Sequence, residues 1–489
     1  MPLIYSFFLS TAKTPGYGVF LCFMKFPLKA FLLPAILMVF FSCKKESFTS
    51  SADALLVPSE DSLKFDTVFT STGSVSQYLK IFNPNDKGIK ISSVKLAGGL
   101  NSSFKINADG ISGPQVNDLE VAAGDSLYIY VTVSIDPTSA DLPFVISDSI
   151  EVSYNTNKLW VQLQAWGQNA HFYRNKVIST SETWNDDLPI VILDRLTIEP
   201  NATLTINKGS RIFIHADAPF LVYGTLHVLG EPAERVVFSG DRLDVPYKDF
   251  PASYPGLFFM ETSNNSVIQY ALIKNAYQGV VVIDPSPGIK LSLQETIIDN
   301  AYDAGLIGVN TSIRARNLLI SNCGKNLMLV KGGDYLFEHC TVAAYSTDYI
   351  QHREPVLFVS NYIVVNNTPV IGNLNAVFKN SVFWGESGGF LDTEVSVNKQ
   401  GSSPFNVNFE NVLWKVPGDP ANTTVTGINL KNIDPGFDTI NISEGIFNFR
   451  PGINSPMIDK AGLSSIFLDL DGKPRPVPVL PDLGAFEKQ

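Results

Sequence analysis

The sequence is poor in the residue types that would identify a metal site or a nucleic-acid-binding protein. It contains five histidines and four cysteines among 489 residues, and its 47 acidic residues outnumber the 36 basic ones. The net charge of −11 and the pI of about 5.0 argue against a nucleic-acid partner, because phosphates require a basic surface. His215 and His227 lie on separate predicted strands, with no cysteine or third histidine near them in sequence. We therefore predict no metal site and no cofactor.

Turn-forming residues, by contrast, are abundant. The chain has 35 glycines and 30 prolines, a composition typical of short strands joined by turns. Its 489 residues exceed one ordinary domain, so we expect two or three structural units.

Four segments between Val267 and Tyr345 repeat the same pattern. They are Tyr270–Ala276, Glu295–Ala301, Asn317–Cys323 and His339–Tyr345. One apolar position recurs in them with spacings of 25, 22 and 22 residues, at Ile273, Ile298, Ile320 and Val342. Repeats of this length are typical of solenoids, and the alternation of apolar and polar residues inside each unit is that of a strand. The repeats resemble a right-handed parallel β-helix.

Three columns of residues are predicted to face the interior of this β-helix. They are Ile268, Leu293, Ala315 and Phe337, then Ala271, Thr296, Leu318 and Cys340, then Ile273, Ile298, Ile320 and Val342. Two residues separate the first column from the second, so the chain must bend there. A further column, Asn275, Asn300 and Asn322, lies where each strand should turn, because asparagine tolerates the left-handed backbone conformation and stacked amides can hydrogen-bond between coils. Cys323 and Cys340 are too far apart for a disulfide, since five strand residues span about 16 Å while coils stack about 5 Å apart.

The N-terminus is similar to the export signal of a bacterial lipoprotein. From Met24, which we take as the true start, a short basic segment leads to the apolar run Ala30–Phe41 and then to Ser42 and Cys43. The run is too short for a membrane-spanning helix, and a small residue before cysteine resembles a lipobox, although Phe40 departs from the usual aliphatic residue. The resemblance implies a signal region over 1–42, lipid on Cys43, a tether over 43–55 and anchoring on either face of the outer membrane. An ordinary signal peptide with a chance cysteine is the alternative.

Residues 56–169 lack the short repeat. They contain about seven isolated predicted strands, among them Gln77–Asn83 and Ser126–Ile135, which indicates an antiparallel β-sandwich. The segment resembles the immunoglobulin-like modules of bacterial envelope proteins, which carry a turn like Asn83–Gly88 after the second strand. The alternative is an N-terminal extension of the solenoid.

The β-helix is predicted to cover residues 170–433 and a C-terminal cap residues 434–489, which makes the fold all-β. Asn380–Trp384 aligns with Glu410–Trp414 at a spacing of 30, as expected for one coil with an extra loop. The cap contains five motifs, Asp434–Phe437, Phe449–Gly452, Ser455–Gly462, Asp469–Arg475 and Asp482–Glu487. Together they resemble the choice-of-anchor Q-like cap of exported bacterial β-helix proteins. The resemblance implies that the cap covers the last coil, which would otherwise expose its core and an unpaired edge. Asp469–Gly472 is predicted to be a turn and not a calcium loop, because its glycine falls too early for an EF-hand.

The outward positions of the repeats hold the best candidates for chemistry. Lyases of this shape need carboxylates clustered for calcium beside a basic residue, and glycosidases need two carboxylates of which one is protonated. The candidates are Glu295, Asp299, Asp303, Arg316, Glu338 and His339. The sequence nevertheless lacks the paired aspartates, Gly-His-Gly and Arg-Ile-Lys motifs of pectin-cleaving glycosidases, and outward charges on a solenoid usually form a solvated face. Tyr277 and Tyr302, beside the asparagine column, are candidates for stacking on sugar, although ordinary packing also explains them.

Three functions are compatible with these features. We expect a non-catalytic cell-envelope lipoprotein whose sandwich is a spacer and whose β-helix binds glycan or another envelope surface. Its partners would be the membrane, through the lipid anchor, and a polysaccharide or an envelope protein. The alternatives are a polysaccharide lyase or glycoside hydrolase, with calcium required only by the lyase, and a structural component of the envelope. Carboxylates beside a cation in a groove would favour the enzyme, and exposed aromatics along one face would favour binding.

Overall fold

The computed structural model describes residues 47–69, 76–135, 144–477 and 479–489. The predicted signal region and Cys43 lie outside these ranges. Within them the chain forms 38 strands and three short 3₁₀ helices, at Gly99–Asn101, Tyr247–Asp249 and Ile442–Glu444. In the same ranges, no helix has the length and apolar character needed to cross a membrane. The all-β prediction is confirmed.

Two sheets form the N-terminal unit. Its strands are β1 (Phe48–Thr49), β2 (Val57–Pro58), β3 (Ser62–Phe69), β4 (Gln77–Phe82), β5 (Gly88–Leu96), β6 (Phe104–Ala108), β7 (Ile111–Gly113), β8 (Gln115–Val121), β9 (Ser126–Val133), β10 (Phe144–Tyr154) and β11 (Asn157–Gln168). One sheet has the order β1-β5-β10-β11-β3 with β8 on β5, and the other has the order β2-β4-β9-β6-β7. Most pairs are antiparallel, while β1–β5 and β11–β3 are parallel. Alternate apolar residues such as Ile91, Ile129 and Val161 share one buried core, as in a two-layer β-structure.

This unit begins earlier than the sequence predicted. Phe48 and Thr49 pair with Gly88 and Ile89 of β5, and Ala54 is buried in the core. The last residues of the segment predicted as a tether over 43–55 are therefore part of the folded unit.

A 23-stranded parallel sheet follows, and we call it the parallel-stranded region. Its strands are β12 (His171–Ile178), β13 (Glu182–Trp184), β14 (Ile190–Ile198), β15 (Thr203–Asn207), β16 (Arg211–Ile214), β17 (Phe220–Val222), β18 (Thr225–Leu229), β19 (Val236–Gly240), β20 (Leu257–Phe259), β21 (Ser266–Gln269), β22 (Ala271–Lys274), β23 (Gln278–Ile283), β24 (Leu291–Gln294), β25 (Ile297–Asp299), β26 (Ala304–Arg316), β27 (Leu319–Ser321), β28 (Lys325–Glu338), β29 (Thr341–Tyr345), β30 (Leu357–Ser360), β33 (Leu374–Glu386), β34 (Val395–Asn398), β35 (Phe405–Trp414) and β36 (Thr424–Lys431). A separate hairpin, β31 (Tyr362–Val365) and β32 (Thr368–Ile371), interrupts it. From β15 to β23 each strand pairs in parallel with the third strand after it.

Two of the three predicted inward columns are confirmed by the register. Ile268 pairs with Leu293, Leu293 with Ala315, and Ala315 with Phe337. The column from Ile273 to Val342 is likewise continuous. All of these side chains are buried in one apolar core. Cys323 and Cys340 are free and buried, as expected of packing residues.

Left-handed residues mark two of the turns in each repeat. Asn275, Asn300 and Asn322 have φ values of 65°, 54° and 50°, and Asn300 Nδ2 donates to Asn275 Oδ1 at 2.8 Å, which confirms the predicted asparagine column. A second set lies at the bend between the first two inward columns, with φ between 45° and 52°. This left-handed column consists of Tyr270, Glu295, Asn317, His339, Asn380 and Asn411.

The predicted alignment of Trp384 with Trp414 is wrong by one residue. Phe383, and not Trp384, pairs with Trp414. Trp414 therefore fills the core of the sheet, while Trp384 projects from the opposite face. A shift of one residue exchanges the two faces of a strand, so an alignment based on tryptophan alone could not detect it.

The C-terminal segment, residues 434–489, lies against the outer face of the parallel sheet. It contains the hairpin β37 (Phe437–Asn441) and β38 (Ile446–Pro451). Its apolar side chains form a second cluster with outward residues of the sheet, namely Phe449, Met457, Leu470, Leu483 and Phe486 with Leu319, Ala343, Trp384 and Leu413. Ser321 and Ala343, predicted to face outward, are 1% and 0% exposed. The segment thus packs along the side of successive strands instead of covering only the last one.

Candidate functional site

The left-handed column is the surface on which the C-terminal segment is held. Asn317 Nδ2 donates to Leu468 O at 2.7 Å. Asn380 donates to Gly462 O at 3.0 Å and accepts from Gly462 N at 2.9 Å. These side chains can reach the segment because the left-handed backbone turns them away from the core. The column therefore anchors a distant part of the chain.

His339 is enclosed at this junction and has no access to solvent. Its ring contacts Arg475, Asn380 and Ser464. Burial and the neighbouring Arg475 guanidinium lower the pKa of His339 well below its ordinary value. The imidazole is accordingly neutral, and the structure places this candidate in a packing contact.

Glu295 and Arg316 are brought together, as the sequence suggested. Arg316 Nε lies 3.1 Å from Glu295 Oε1, and Asn317 Nδ2 donates to the same oxygen at 3.2 Å. Burial raises the pKa of Glu295, and Arg316 opposes that shift. Glu295 is 4% exposed, so its carboxylate lies beneath the surface, whereas the Arg316 side chain is 44% exposed.

Glu338 lies in a row of charges on the neighbouring strands. It pairs in register with Lys379, which pairs with Glu410, and Lys379 Nζ lies 3.2 Å from Glu410 Oε2. Burial raises the pKa of Glu338, while Lys379 lowers it.

Asp299 has a different environment, in a cleft of about 350 Å³. The cleft is bounded by the loop between β19 and β20, the segment after β29 and the hairpin of the C-terminal segment. Its lining residues are Asp249, Lys274, Asn275, Asp299, Asn300, Asn322, Thr347, Asp348, Tyr349, Ile442, Glu444, Gly445 and Phe447. Four carboxylates, one ammonium group and three amides thus share one depression, which provides donors and acceptors for a polyhydroxylated ligand.

The asparagine column builds two walls of this cleft. Asn275 Nδ2 donates to Lys248 O at 2.8 Å and Asn300 Nδ2 to Asp249 O at 3.0 Å, which holds the first loop in place. Asn322 Oδ1 accepts from Tyr345 N at 3.0 Å, where the second wall begins. The Phe250 and Tyr349 rings, 4.8 Å apart between centroids, join the two walls.

At the floor of the cleft, Asp299 lies between two polar neighbours. Ser321 Oγ donates to Asp299 Oδ1 at 2.6 Å, and Lys274 pairs with Asp299 in register. Burial raises the pKa of Asp299, and the hydrogen bond from Ser321 and the charge of Lys274 act against it. A carboxyl group with a raised pKa in a cleft can act as a proton donor.

Tyr277 and Tyr302 form an exposed stacked pair beside the asparagine column. Their ring centroids are 5.9 Å apart with an interplanar angle of 27°, and the residues are 46% and 52% exposed. Next to them, Asp303 accepts from Gln278 at 2.7 Å and pairs with Lys325 at 3.0 Å. The tyrosine pair thus presents ring faces to solvent with polar groups along one side.

The structure separates the six charged candidates into four places. Glu295, Arg316 and His339 lie at the junction with the C-terminal segment, and Glu338 lies in the row of charges with Lys379 and Glu410. Asp299 lies in the cleft, and Asp303 lies beside the tyrosine pair. Sequence reasoning missed Asp249, Tyr349 and Glu444, which reach the cleft from distant segments. In the described ranges, no three His, Cys, Asp or Glu side chains are grouped to hold a metal ion.

Asp469, predicted to form a turn, does so. Its Oδ1 accepts from the backbone N–H groups of Asp471 and Lys473 at 2.9 and 2.8 Å. Its Oδ2 accepts from Glu487 N at 3.0 Å. The side chain is thus used in folding the C-terminal segment.

Comparisons with known proteins give no close relative. No family model and no curated protein matches the sequence. Among solved structures, the catalytic unit of the GH87 α-1,3-glucanase from Streptomyces thermodiastaticus is 10% identical and overlaps 73% of this chain and 89% of its own, with a TM-score of 0.24. A family 123 glycoside hydrolase from Clostridium perfringens is 10% identical over 23% of this chain and 25% of its own, with a TM-score of 0.17. PapD-like domain 7 of human CEP192 is 13% identical over 26% of this chain and 92% of its own, also with a TM-score of 0.17. Similarities at these TM-scores support no argument about fold or function.

Proposed function

We propose that this protein is an outer-membrane lipoprotein that binds a glycan, without cleaving it, on the outer face of a right-handed parallel β-helix. The observation that carries the binding function is the exposed stack of Tyr277 on Tyr302. Sugar rings present apolar C–H faces that pack on aromatic faces, and tyrosine supplies such a face with little loss of conformational entropy.

The surroundings of the tyrosine pair support this proposal. The asparagine column lies two residues before each tyrosine, and the cleft lies on the other side of that column. Amides and carboxylates there can hydrogen-bond to sugar hydroxyls, while the rings provide the apolar contact. A small number of polar groups beside an apolar surface is the usual composition of a ligand site.

Binding is tested with the full-length protein, purified in detergent, on a glycan array. The glycans that retain the wild type should lose at least tenfold in affinity for the double variant Tyr277→Ala/Tyr302→Ala. The corresponding phenylalanine variant keeps the ring faces and should bind like the wild type. Phe390→Ala, which removes a 72% exposed ring elsewhere on the surface, is the matched control. Equal retention of the wild type and the alanine variant would refute this site.

Glycan hydrolysis is the second candidate function, and Asp299 is the observation in its favour. A glycosidase requires one protonated carboxyl group near a second carboxylate, and the raised pKa of Asp299 in a cleft with three other acids fits that requirement. Release of reducing ends from a bound glycan, abolished by Asp299→Asn, would establish hydrolysis. Binding without such release would leave the non-catalytic function.

The anchor is tested separately from the ligand. Metabolic labelling with an alkyne fatty acid should tag the wild type and not Cys43→Ala, and expression should survive loss of Met1 if Met24 is the start. Two acyl chains are sufficient for stable attachment to a membrane. Equal labelling of the wild type and Cys43→Ala would exclude the lipid at Cys43.

We also propose that the N-terminal unit is an immunoglobulin-like spacer and that residues 434–489 correspond to the C-terminal cap of exported bacterial β-helix proteins.

A further inference from the structure

Three tyrosines cover the outer face of the sheet formed by β2, β4, β9, β6 and β7 in the N-terminal unit. Tyr78, Tyr128 and Tyr130 are 54%, 39% and 48% exposed. Their ring centroids are 5.9 to 6.4 Å apart, and the Tyr128 and Tyr130 rings are stacked at an interplanar angle of 19°. We call this surface the tyrosine face.

The register of the sheet explains why these rings project together. Tyr78 pairs with Tyr130, and Lys80 pairs with Tyr128. The intervening residues on the same strands, such as Leu79 and Ile129, are buried in the core. Because side chains alternate between the faces of a strand, the tyrosines point away from the core that stabilises the sheet. Exposed aromatic residues grouped in this way are typical of a binding surface.

The tyrosine face is also positively charged, in a protein whose net charge is −11. The five strands of this sheet contain no aspartate or glutamate, but they carry Lys80 and Lys105. Lys80 Nζ lies 5.0 Å from the centroid of the Tyr128 ring and 5.9 Å from that of Tyr78. The ammonium group therefore lies at the tyrosine rings themselves.

A shallow cleft continues this surface beyond Tyr130. It has a volume of about 570 Å³, and its lining includes Lys105, Asn107, Tyr130 and Thr132. Lys105 pairs with Thr132 and Asn107 pairs with Tyr130, so these four side chains project from the same face of adjacent strands. Ring faces, an amide, a hydroxyl and two lysines thus form one continuous surface.

We infer that the tyrosine face binds a polysaccharide built of uronic acid residues. Each sugar ring would stack on a tyrosine, and its carboxylate would pair with Lys80 or Lys105. An anionic glycan fits better than a neutral one, because the face is cationic while the rest of the protein is acidic and would repel the polymer elsewhere. This site is distinct from the tyrosine pair of the parallel-stranded region, so the inference goes beyond the function proposed above.

The test is affinity electrophoresis of the full-length protein in detergent, with polygalacturonate or with neutral dextran in the gel. Polygalacturonate should retard the wild type, and dextran should not. Tyr128→Ala/Tyr130→Ala should weaken the apparent affinity at least tenfold, whereas Tyr128→Phe/Tyr130→Phe should stay within about twofold of the wild type. Lys80→Gln/Lys105→Gln should also weaken it about tenfold and reduce its dependence on salt.

A further double variant separates this site from the proposed function. Tyr277→Ala/Tyr302→Ala should leave retardation by polygalacturonate unchanged, even if it abolishes binding on the glycan array. Three outcomes would overturn the inference: no retardation by polygalacturonate, equal retardation by dextran, or full retardation of the Tyr128→Ala/Tyr130→Ala variant.

Discussion

Replacing Asn380 with alanine should release the C-terminal segment from the parallel-stranded region. Asn380 is 3% exposed, and both polar atoms of its side chain contact the backbone of Gly462. The variant would leave that N–H and that carbonyl without these partners.

The size of the effect follows from these contacts. A polar group deprived of its partner at a buried site costs about 1–3 kcal/mol, and two such groups are involved here. Asn380 also has a left-handed backbone, with φ of 51°, and alanine in that conformation costs roughly 1 kcal/mol more. Together these losses amount to roughly 3–7 kcal/mol, which raises the fraction of molecules with a released segment by about a hundredfold or more.

Native-state proteolysis measures this fraction, because a protease cleaves the segment only when it is released. Fragment masses should place the new cleavages within residues 434–489. Asn366→Ala is the matched control, since Asn366 also has a left-handed backbone, with φ of 49°, but is exposed in the hairpin between β31 and β32. Asn380→Gly removes the same contacts without the backbone strain and should fall between the two. If Asn380→Ala and Asn366→Ala were cleaved at the same rate, the assignment of the left-handed column as an anchor would be refuted.

Three further predictions concern the core, the junction and the cleft. Ile298→Asp or Ile320→Asp should lower the free energy of unfolding by several kcal/mol and prevent recovery of folded protein, because each carboxylate would enter the apolar core unpaired. Gln294→Asp, at an outward position, should be tolerated. Similar yields of all three variants would contradict the inward assignment. His339→Asn should make stability less sensitive to acid. The pKa of His339 is lowered in the folded state, so the contribution of His339 to stability is present above about pH 6.5 and is lost at lower pH, where the histidine of the unfolded chain gains a proton. In denaturant titrations the wild type should therefore lose up to about 2 kcal/mol of stability relative to the variant between pH 7.5 and 5. Parallel stability curves for the two proteins would contradict this prediction. Ser321→Ala should raise the pKa of Asp299 further, because the substitution removes a hydrogen bond that lowers this pKa. Carboxyl titration followed by ¹³C NMR measures the change, and an unchanged Asp299 titration would show that Ser321 does not lower the pKa.

The C-terminal segment also defines which surface remains for a ligand. It covers Leu319, Ala343 and Trp384 on the outer face of the sheet, and its hairpin forms one wall of the cleft at Asp299. A variant that releases the segment should therefore also disturb the cleft, while the tyrosine pair, which lies on the other side of the asparagine column, should remain in place. This difference distinguishes loss of the cleft from loss of the stacking surface.

The repeat in the sequence was sufficient to determine the strands and their inward faces. Ile273, Ile298 and Ile320 occupy one buried column because alternation along a strand assigns each side chain to a face, and equal spacing between repeats brings equivalent strands into register. The left-handed turns at Asn275, Asn300 and Asn322 could be predicted for the same reason, since the conformation depends mainly on the local residue type.

Only the tertiary structure decided which outward residues are exposed. A local pattern distinguishes the two faces of a strand, but it does not show which distant segment packs on the outer one. Asn317 contacts Leu468, 151 residues away, and the contact of His339 with Arg475 spans 136 residues. Ser321, on β27, and His339, at the bend before β29, are therefore buried although neither belongs to the inward columns. The cleft at Asp299 likewise exists because the loop between β19 and β20, the segment after β29 and the C-terminal hairpin meet there. Their meeting depends on long-range packing that no single stretch of sequence encodes.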